Sequence, residues 1–391
     1  MSPITFFRKA YYKVMRKQIV RDLDDFCTVK NGRALLYYKT DSLVFRSVAN
    51  NPSHVNHWEI IEIVRVLNRL GFVVDVIDRT VKPETIASVQ DIYQIFIGIG
   101  AGDSGRHYAD IAKKVPSAKK VFYALGPEPD ESNRITLARY DYFWERHPGV
   151  KVEIRRTINH VDIDECMKHT DAILSCGSEF ALHTFDKHHK PVYKLPPSSS
   201  TLVQFPFASL EKKDAKKFLY FGGNGNIVKG LDIVIEAFAE LPDYELFICA
   251  PQTETDFNAF YKETLEKSKN IHFVGFIKIG GETFYDLTSK CGYVIFPSAS
   301  EGAATSVTTC MRAGMIPVVT VESGIDSAER CGHVIGDIHI SALKDLISKL
   351  AHKSKEEVIQ KSLETYKESY SYSQGNFSQT LELSLISILR S

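Results

Sequence analysis

Apolar runs of strand length alternate with stretches of helical period from residue 34 almost to the end of the chain. Short apolar runs between turn residues predict buried strands, and apolar positions three and four apart predict helices covering a sheet. In the first half the strands fall at 34–38, 73–77, 92–99, 121–125, 172–175 and 191–195. An amphipathic helix over 57–70 lies between the first two, ended by Gly71 where a helix C-terminus favours glycine. The second half restarts the alternation, with strands at 217–221, 245–249, 271–274, 293–296, 316–321 and 333–335. Its helices fall at 230–241, 255–267, 283–289, 305–313 and 341–351, and two more, at 355–370 and 374–389, close the chain.

Between the halves the sequence becomes KLPPSSSTLVQFP, three prolines and three serines that suit an extended connector. A chain of 391 residues is also long for one core. The pattern therefore predicts an α/β protein of two Rossmann-like domains joined by that linker. The division reads as a basic aromatic segment over 1–30, a first domain over 31–196, a linker over 197–212, a second domain over 213–370 and a closing helix over 371–391.

Composition narrows the function classes. Lysine plus arginine and aspartate plus glutamate both number 48, and this formal net charge of zero argues against nucleic acid as a partner. Residues 1–21 depart from the balance, with Arg8, Lys9, Lys13, Arg16, Lys17 and Arg21 set among Phe6, Phe7, Tyr11 and Tyr12 and no acidic residue. Such a segment suits either an anionic membrane surface or a basic helix packed by its aromatic side. Seven scattered cysteines without metal spacing, no signal peptide and no spanning apolar run lead to the expectation of a cytoplasmic protein, peripheral on the membrane at most.

Two stretches carry candidate chemistry. FLYFGGNGNIVKG runs a strand into Gly222, Gly223, Asn224 and Gly225 and reaches Lys229 at a helix start. Glycines let backbone N–H groups approach an anion, and a helix N-terminus with a lysine favours a diphosphate. The order is neither a P-loop nor the Gly-x-Gly-x-x-Gly of a dehydrogenase's first strand. The second stretch, YVIFPSASEGAATSVTTCMRAG, carries Glu301 beyond a strand end into a helix. There the carboxylate can meet sugar hydroxyls, and the N–H groups near Ala304, Thr305 and Ser306 can hold a leaving diphosphate. The bland alternatives are a solvated lysine on a turn, and Ser300 and Glu301 acting as helix caps.

Together these residues resemble the family-4 retaining glycosyltransferases of GT-B fold, which implies a cleft between the two domains. Their Gly-Arg-x-x-x-x-Lys-Gly stretch is matched by GGNGNIVKG, and their Ser-x-x-Glu-Gly by Ser298, Glu301 and Gly302, with Gly314, Pro317 and Val318 following. NIHFVGFI resembles the strand before the base-binding loop, which would bring the backbone near Phe276 to the nucleobase. The resemblance implies transfer of a sugar from a UDP- or GDP-sugar to a glycan or glycolipid, with retention, no metal and no further cofactor. Glu301 and Lys229 would be catalytic, and Gly223, Asn224, Gly225, Phe276, Ala304, Thr305, Ser306 and Thr309 would hold the donor. Two departures stand out: the family arginine is Asn224, and the second glutamate is Thr309. Their loss of charge keeps open a nucleotide-sugar-binding scaffold, and the fold keeps open an epimerase or hydrolase. On the acceptor side the candidates are His54, His57 and Glu128, while Lys187–Lys190 reads as turn surface.

Overall fold

The computed structural model describes residues 18–44, 55–100 and 105–391, and shows two parallel-sheet domains. The first sheet comprises β1 (Ile19–Leu23), β2 (Gly32–Tyr38), β3 (Phe72–Asp78), β4 (Ile95–Ile99), β5 (Lys119–Ala124), β6 (Ala172–Cys176) and β7 (Val192–Leu195), in the order β1-β3-β2-β4-β5-β6-β7. The second comprises β8 (Asp214–Phe221), β9 (Glu245–Cys249), β10 (Ile271–Phe273), β11 (Cys291–Phe296), β12 (Ile316–Val319) and β13 (His333–Val334), in the order β10-β9-β8-β11-β12-β13. The second sheet starts near its middle at β8 and is wound outward in both directions, and the first does the same from β2 once the edge strand β1 is set aside. Such sheets open a crevice at the carboxyl ends of the strands where the winding reverses. In the second sheet those strands are β8 and β11, paired in parallel with Phe218 beside Tyr293.

The sequence pattern missed β1, which pairs antiparallel with β3 at the sheet edge. Part of the basic segment is therefore strand. Arg21 and Arg33 both contact the buried Asp75 on β3, which also accepts from Tyr93 Oη at 2.8 Å. Residues 1–17, on which the membrane-surface reading rests, lie outside the described residues. No helix among the described residues is long and apolar enough to cross a membrane.

Packing exchanges segments between the halves. The closing helix Gln374–Arg390 buries Phe377, Leu381, Leu385 and Ile388 in the first domain's core, with Phe377 edge-on to Trp58. In the other direction runs a helix that the apolar pattern did not reveal, Pro129–Arg146. Its buried positions 129, 132, 136, 139, 140 and 143 keep helical spacing, yet Tyr140 and Phe143 belong to the second domain's core. Arg146 is paired with Asp232 and Glu236, and His147 lies 2.9 Å from Glu236. The division at residue 196 is thus a division of the sheets and not of the packing.

This exchange has a measurable consequence. Phe143→Ala should cost about 3–5 kcal/mol, and hydrogen exchange should show faster opening of β8 and β9 than of β4 and β5. Phe377→Ala should show the reverse. Loosening of the first sheet by Phe143→Ala would contradict the assignment.

Candidate functional site

β8 and β11 end side by side, and the loops leaving them carry Lys229 and Glu301. After β8 the chain turns tightly, with Lys229 N donating to Gly225 O at 2.8 Å and Leu231 N to Asn226 O at 2.9 Å. After β11, Ala299 N donates to Val228 O at 2.8 Å, which ties the second loop to the first. Glu301 N donates to Glu322 O at 3.0 Å and Ser300 Oγ lies 2.9 Å from Ser132 Oγ. Gly302 then enters a gap between the domains that no larger residue fits. A β-carbon there would lie 2.6 Å from Leu125 O and 3.0 Å from Cys176 O.

The result is a nearly buried ion pair, Lys229 Nζ to Glu301 Oε1 at 2.5 Å. The other carboxylate oxygen faces Arg156, whose Nη2 lies 3.4 Å away. Burial pushes the Glu301 carboxyl upward, but the charges of Arg156 and Lys229 outweigh it and hold the group below the usual range. Burial lowers Lys229 from its ordinary value, opposed by Glu301 and reinforced by Arg156. With both oxygens engaged, Glu301 is an oriented acceptor of hydroxyl hydrogen bonds.

Arg156 is the site residue that sequence reasoning missed. It comes from the irregular stretch after Pro129–Arg146, where neither periodicity nor motif marks it. Its backbone is left-handed at φ 69°, one of three such non-glycine residues among those described. That conformation costs on the order of 1 kcal/mol and needs support from neighbours. Arg155 supplies it, with two contacts of 2.9 Å to the Asp256 carboxylate, which also accepts from Glu153 N at 2.7 Å. Burial pushes Asp256 up, but these donors bring it down to about 2. Tyr140 Oη accepts from Arg155 N at 2.9 Å.

Glu301 and Arg156 form the wall between two cavities. The larger, about 680 Å³, is lined by Gly222, Gly223, Asn224, Lys229, Phe276 and Ala303–Ser306 with Thr309. It also touches Val55 and Asn56 of the first domain. The smaller, about 250 Å³, is bounded by Leu125–Pro127, Ser132, Thr136, Thr157 and Ser300. Thr136 Oγ1 is buried there without a hydrogen-bond partner in the protein. Phe276 stands 75% exposed on the rim of the larger cavity, an apolar face open to a ring system.

Several residues sit differently from their sequence reading. The Gly225 and Asn226 amides do not face an anion from outside, because the buried Glu254 carboxylate accepts from both, at 2.5 Å from Gly225 N and 3.2 Å from Asn226 N. Ala304 N donates to Ser323 O at 2.9 Å, so at that helix start only Thr305 and Ser306 keep amides without an intrahelical acceptor. Neither Ser300 nor Glu301 caps the helix, whose N-cap is Ala304. Thr309 Oγ1 donates to Thr305 O at 2.7 Å, so its hydroxyl can only accept from a ligand. Asn224 Oδ1 accepts from Thr253 Oγ1 at 2.7 Å.

The acceptor-side candidates change most. His57 is buried with Nδ1 2.9 Å from Ser42 Oγ and 3.3 Å from Lys39 Nζ. Glu128 is wholly buried, where it caps Pro129–Arg146 through Glu131 N at 2.9 Å and meets Lys187 and His188 at 3.1 and 3.3 Å. Its carboxylate is therefore structural, and His188 is part of that buried contact and not turn surface. His54 lies outside the described residues.

Residues 204–365 match the family described as Glycosyl transferases group 1. No curated protein matches the chain. Among solved structures, a sucrose-phosphate synthase from Thermosynechococcus elongatus is similar with a TM-score of 0.66 at 10% identity, over 92% of this chain and 99% of that one. Alr3699/HepE of Anabaena, solved in complex with UDP and glucose, gives 0.59 at 11%, over 92% and 100%. A trehalose-6-phosphate synthase gives 0.54 at 10%, over 86% and 79%. Identities this low establish the fold, which is that of GT-B glycosyltransferases.

The ion pair predicts its own titration. A carboxyl held low in the folded state contributes stability above its unfolded value, lost as pH falls through the folded one. Lys229→Met keeps the stem and deletes the charge. It should raise the Glu301 titration in carboxyl-resolved NMR, reduce stability by on the order of 3 kcal/mol, and flatten the acid side of the stability profile. An unmoved Glu301 titration would mean that Lys229 does not govern it.

Proposed function

We propose that this protein is a glycosyltransferase that moves a sugar from a UDP- or GDP-sugar to a hydroxyl of a glycan or glycolipid, with the anomeric configuration retained. The observation that carries this reading is the wall of Glu301 and Arg156 standing between a large and a small cavity at the domain cleft. The volume of the larger is within the range of about 300–1,000 Å³ usual for small-molecule sites. Its exposed Phe276 suits a nucleobase, and Lys229 with the amides of Thr305 and Ser306 suits a diphosphate. The complex of the structurally similar Anabaena protein with UDP and glucose supports a donor of that class.

In this mechanism Glu301 accepts hydrogen bonds from the donor sugar's hydroxyls and fixes C1 toward the small cavity. The bond from C1 to the β-phosphate oxygen breaks with its electron pair left on the diphosphate. A bond forms from C1 to the acceptor oxygen, and the hydroxyl proton passes to the departing phosphate oxygen. Lys229 and the helix-start amides stabilise the charge that grows on the leaving group. The unpartnered Thr136 hydroxyl offers the acceptor a polar contact. Closing the cleft keeps water from C1, so that transfer outruns hydrolysis. The basic residues 1–21 would hold the enzyme at an anionic membrane surface on the cytoplasmic side, where a glycolipid acceptor is presented.

A second reading has its own observation. Asn224 and Thr309 remove two charges, and Glu254 occupies loop amides that would otherwise face phosphate. A scaffold that binds a nucleotide-sugar without turnover would tolerate all three.

Titration calorimetry with UDP, GDP and their sugar conjugates separates the readings. One nucleotide should bind the wild type and lose most of its affinity in Lys229→Ala. Glu301→Ala should keep nucleotide affinity within a few-fold and lose about 10²–10³-fold in kcat. Stoichiometric binding with no transfer to any acceptor would instead favour the scaffold, and no binding at all would sink both.

A further inference from the structure

We propose that Arg156, supplied by the first half of the chain, is the second cation of the diphosphate site and replaces the arginine that position 224 lacks. The inference rests on the nucleotide-sugar reading above. A diphosphate carries more negative charge than one lysine offsets, and the sequence offers only a neutral Asn224 beside Lys229. Asn224 Oδ1 already accepts from Thr253, and the Gly225 and Asn226 amides are taken by Glu254. The loop after β8 therefore cannot complete the site alone.

Arg156 reaches the place that the loop leaves uncovered. Its side chain crosses directly over Gly225, where a β-carbon would lie 2.3 Å from Arg156 Cδ. Gly225 has φ 99°, so glycine there serves both the turn and the passage of the arginine. Arg156 lines the large cavity together with Lys229 and Asn224, with its side chain 38% exposed. Its contact with Glu301 is the longer and more open of that carboxylate's two ion pairs, 3.4 Å against 2.5 Å. A phosphate oxygen can therefore take Arg156 over while Lys229 keeps Glu301 charged and oriented. Planar N–H donors match phosphate geometry in pairs, which a lysine cannot do.

The mounting fits the task. Arg155 and Glu153 fasten the strand of chain to Asp256 of the second domain, and Tyr140 and Phe143 root the preceding helix in that domain's core. Arg156 is consequently fastened to the domain that carries Lys229.

The test is calorimetric titration of UDP, GDP and ADP, with the parent nucleosides followed by ligand-observed NMR. The proteins are the wild type, Arg156→Ala, and Arg156→Ala combined with Asn224→Arg. Arg156→Ala should weaken the retained nucleoside diphosphate by about 10–100-fold, as expected for one charge-assisted pair, and leave the nucleoside within about twofold. Asn224→Arg should restore at least about tenfold of the loss by returning a guanidinium to the same phosphates. Equal diphosphate affinity in Arg156→Ala overturns the proposal, and so does equal loss of nucleoside and diphosphate, which would mark a structural role. No restoration by Asn224→Arg overturns the replacement of position 224. A wild type that binds no nucleoside diphosphate sinks the nucleotide-sugar reading together with this one, whereas the other failures leave that reading standing. If Arg156→Ala does not fold, Arg156→Gln keeps most of the stem and carries the same comparison.

Discussion

A carboxylate taken out of water must be met by cations or give up its charge, and Glu301 is met on both oxygens. That requirement brings three remote pieces of chain to one point: the turn after β8 with Lys229, the loop after β11 with Glu301, and the left-handed residue Arg156. Each is held by contacts that make little sense without the others. Val228 O accepts from Ala299 N, Pro297 O accepts from Arg139 at 3.0 Å, and Gly302 O accepts from Ser178 N at 3.0 Å. The carboxylate is charged because of this convergence, and it is oriented for the same reason.

The exchange of helices between the halves gives the cleft its particular mechanics. The closing helix ties the end of the chain to the first core, and Pro129–Arg146 ties the middle of the first half to the second. One wall of the small cavity therefore comes from a segment that is first in sequence and second in packing. On that helix Ser132 Oγ meets Ser300 Oγ at 2.9 Å, and Thr136 lines the small cavity together with Ser300 and Glu301. A two-domain protein built this way can keep one wall of its small cavity fixed to the second domain.

Electrostatics in the site is organised by the protein's own acids. Glu254 fills the amide turn at Gly225 and Asn226, Asp256 holds Arg155, and Glu301 holds Lys229 and Arg156. Anion-binding geometry at a glycine loop is thus present but internally satisfied, and the exposed positive charge is moved to side chains. A glycine-rich turn after a strand is an anion site only when its N–H groups remain unclaimed.

The sequence by itself determined the two sheets except for the edge strand β1, because strand length and helical spacing are local properties that burial imposes wherever a doubly wound sheet forms. It also determined the two loops with Lys229 and Glu301, since glycines and strand ends mark where backbone can approach a ligand. What only the tertiary structure decided was who answers those groups. His57 and Glu128 turned inward because an imidazole and a cap carboxylate each found buried partners, at Ser42 and at Glu131 N. Pro129–Arg146 escaped notice as a core element because its few large apolar residues serve a domain that lies later in the chain. Arg156 could not be read at all. Its role depends on a backbone conformation fixed by Asp256 a hundred residues away, and no local pattern encodes a pairing between distant charges.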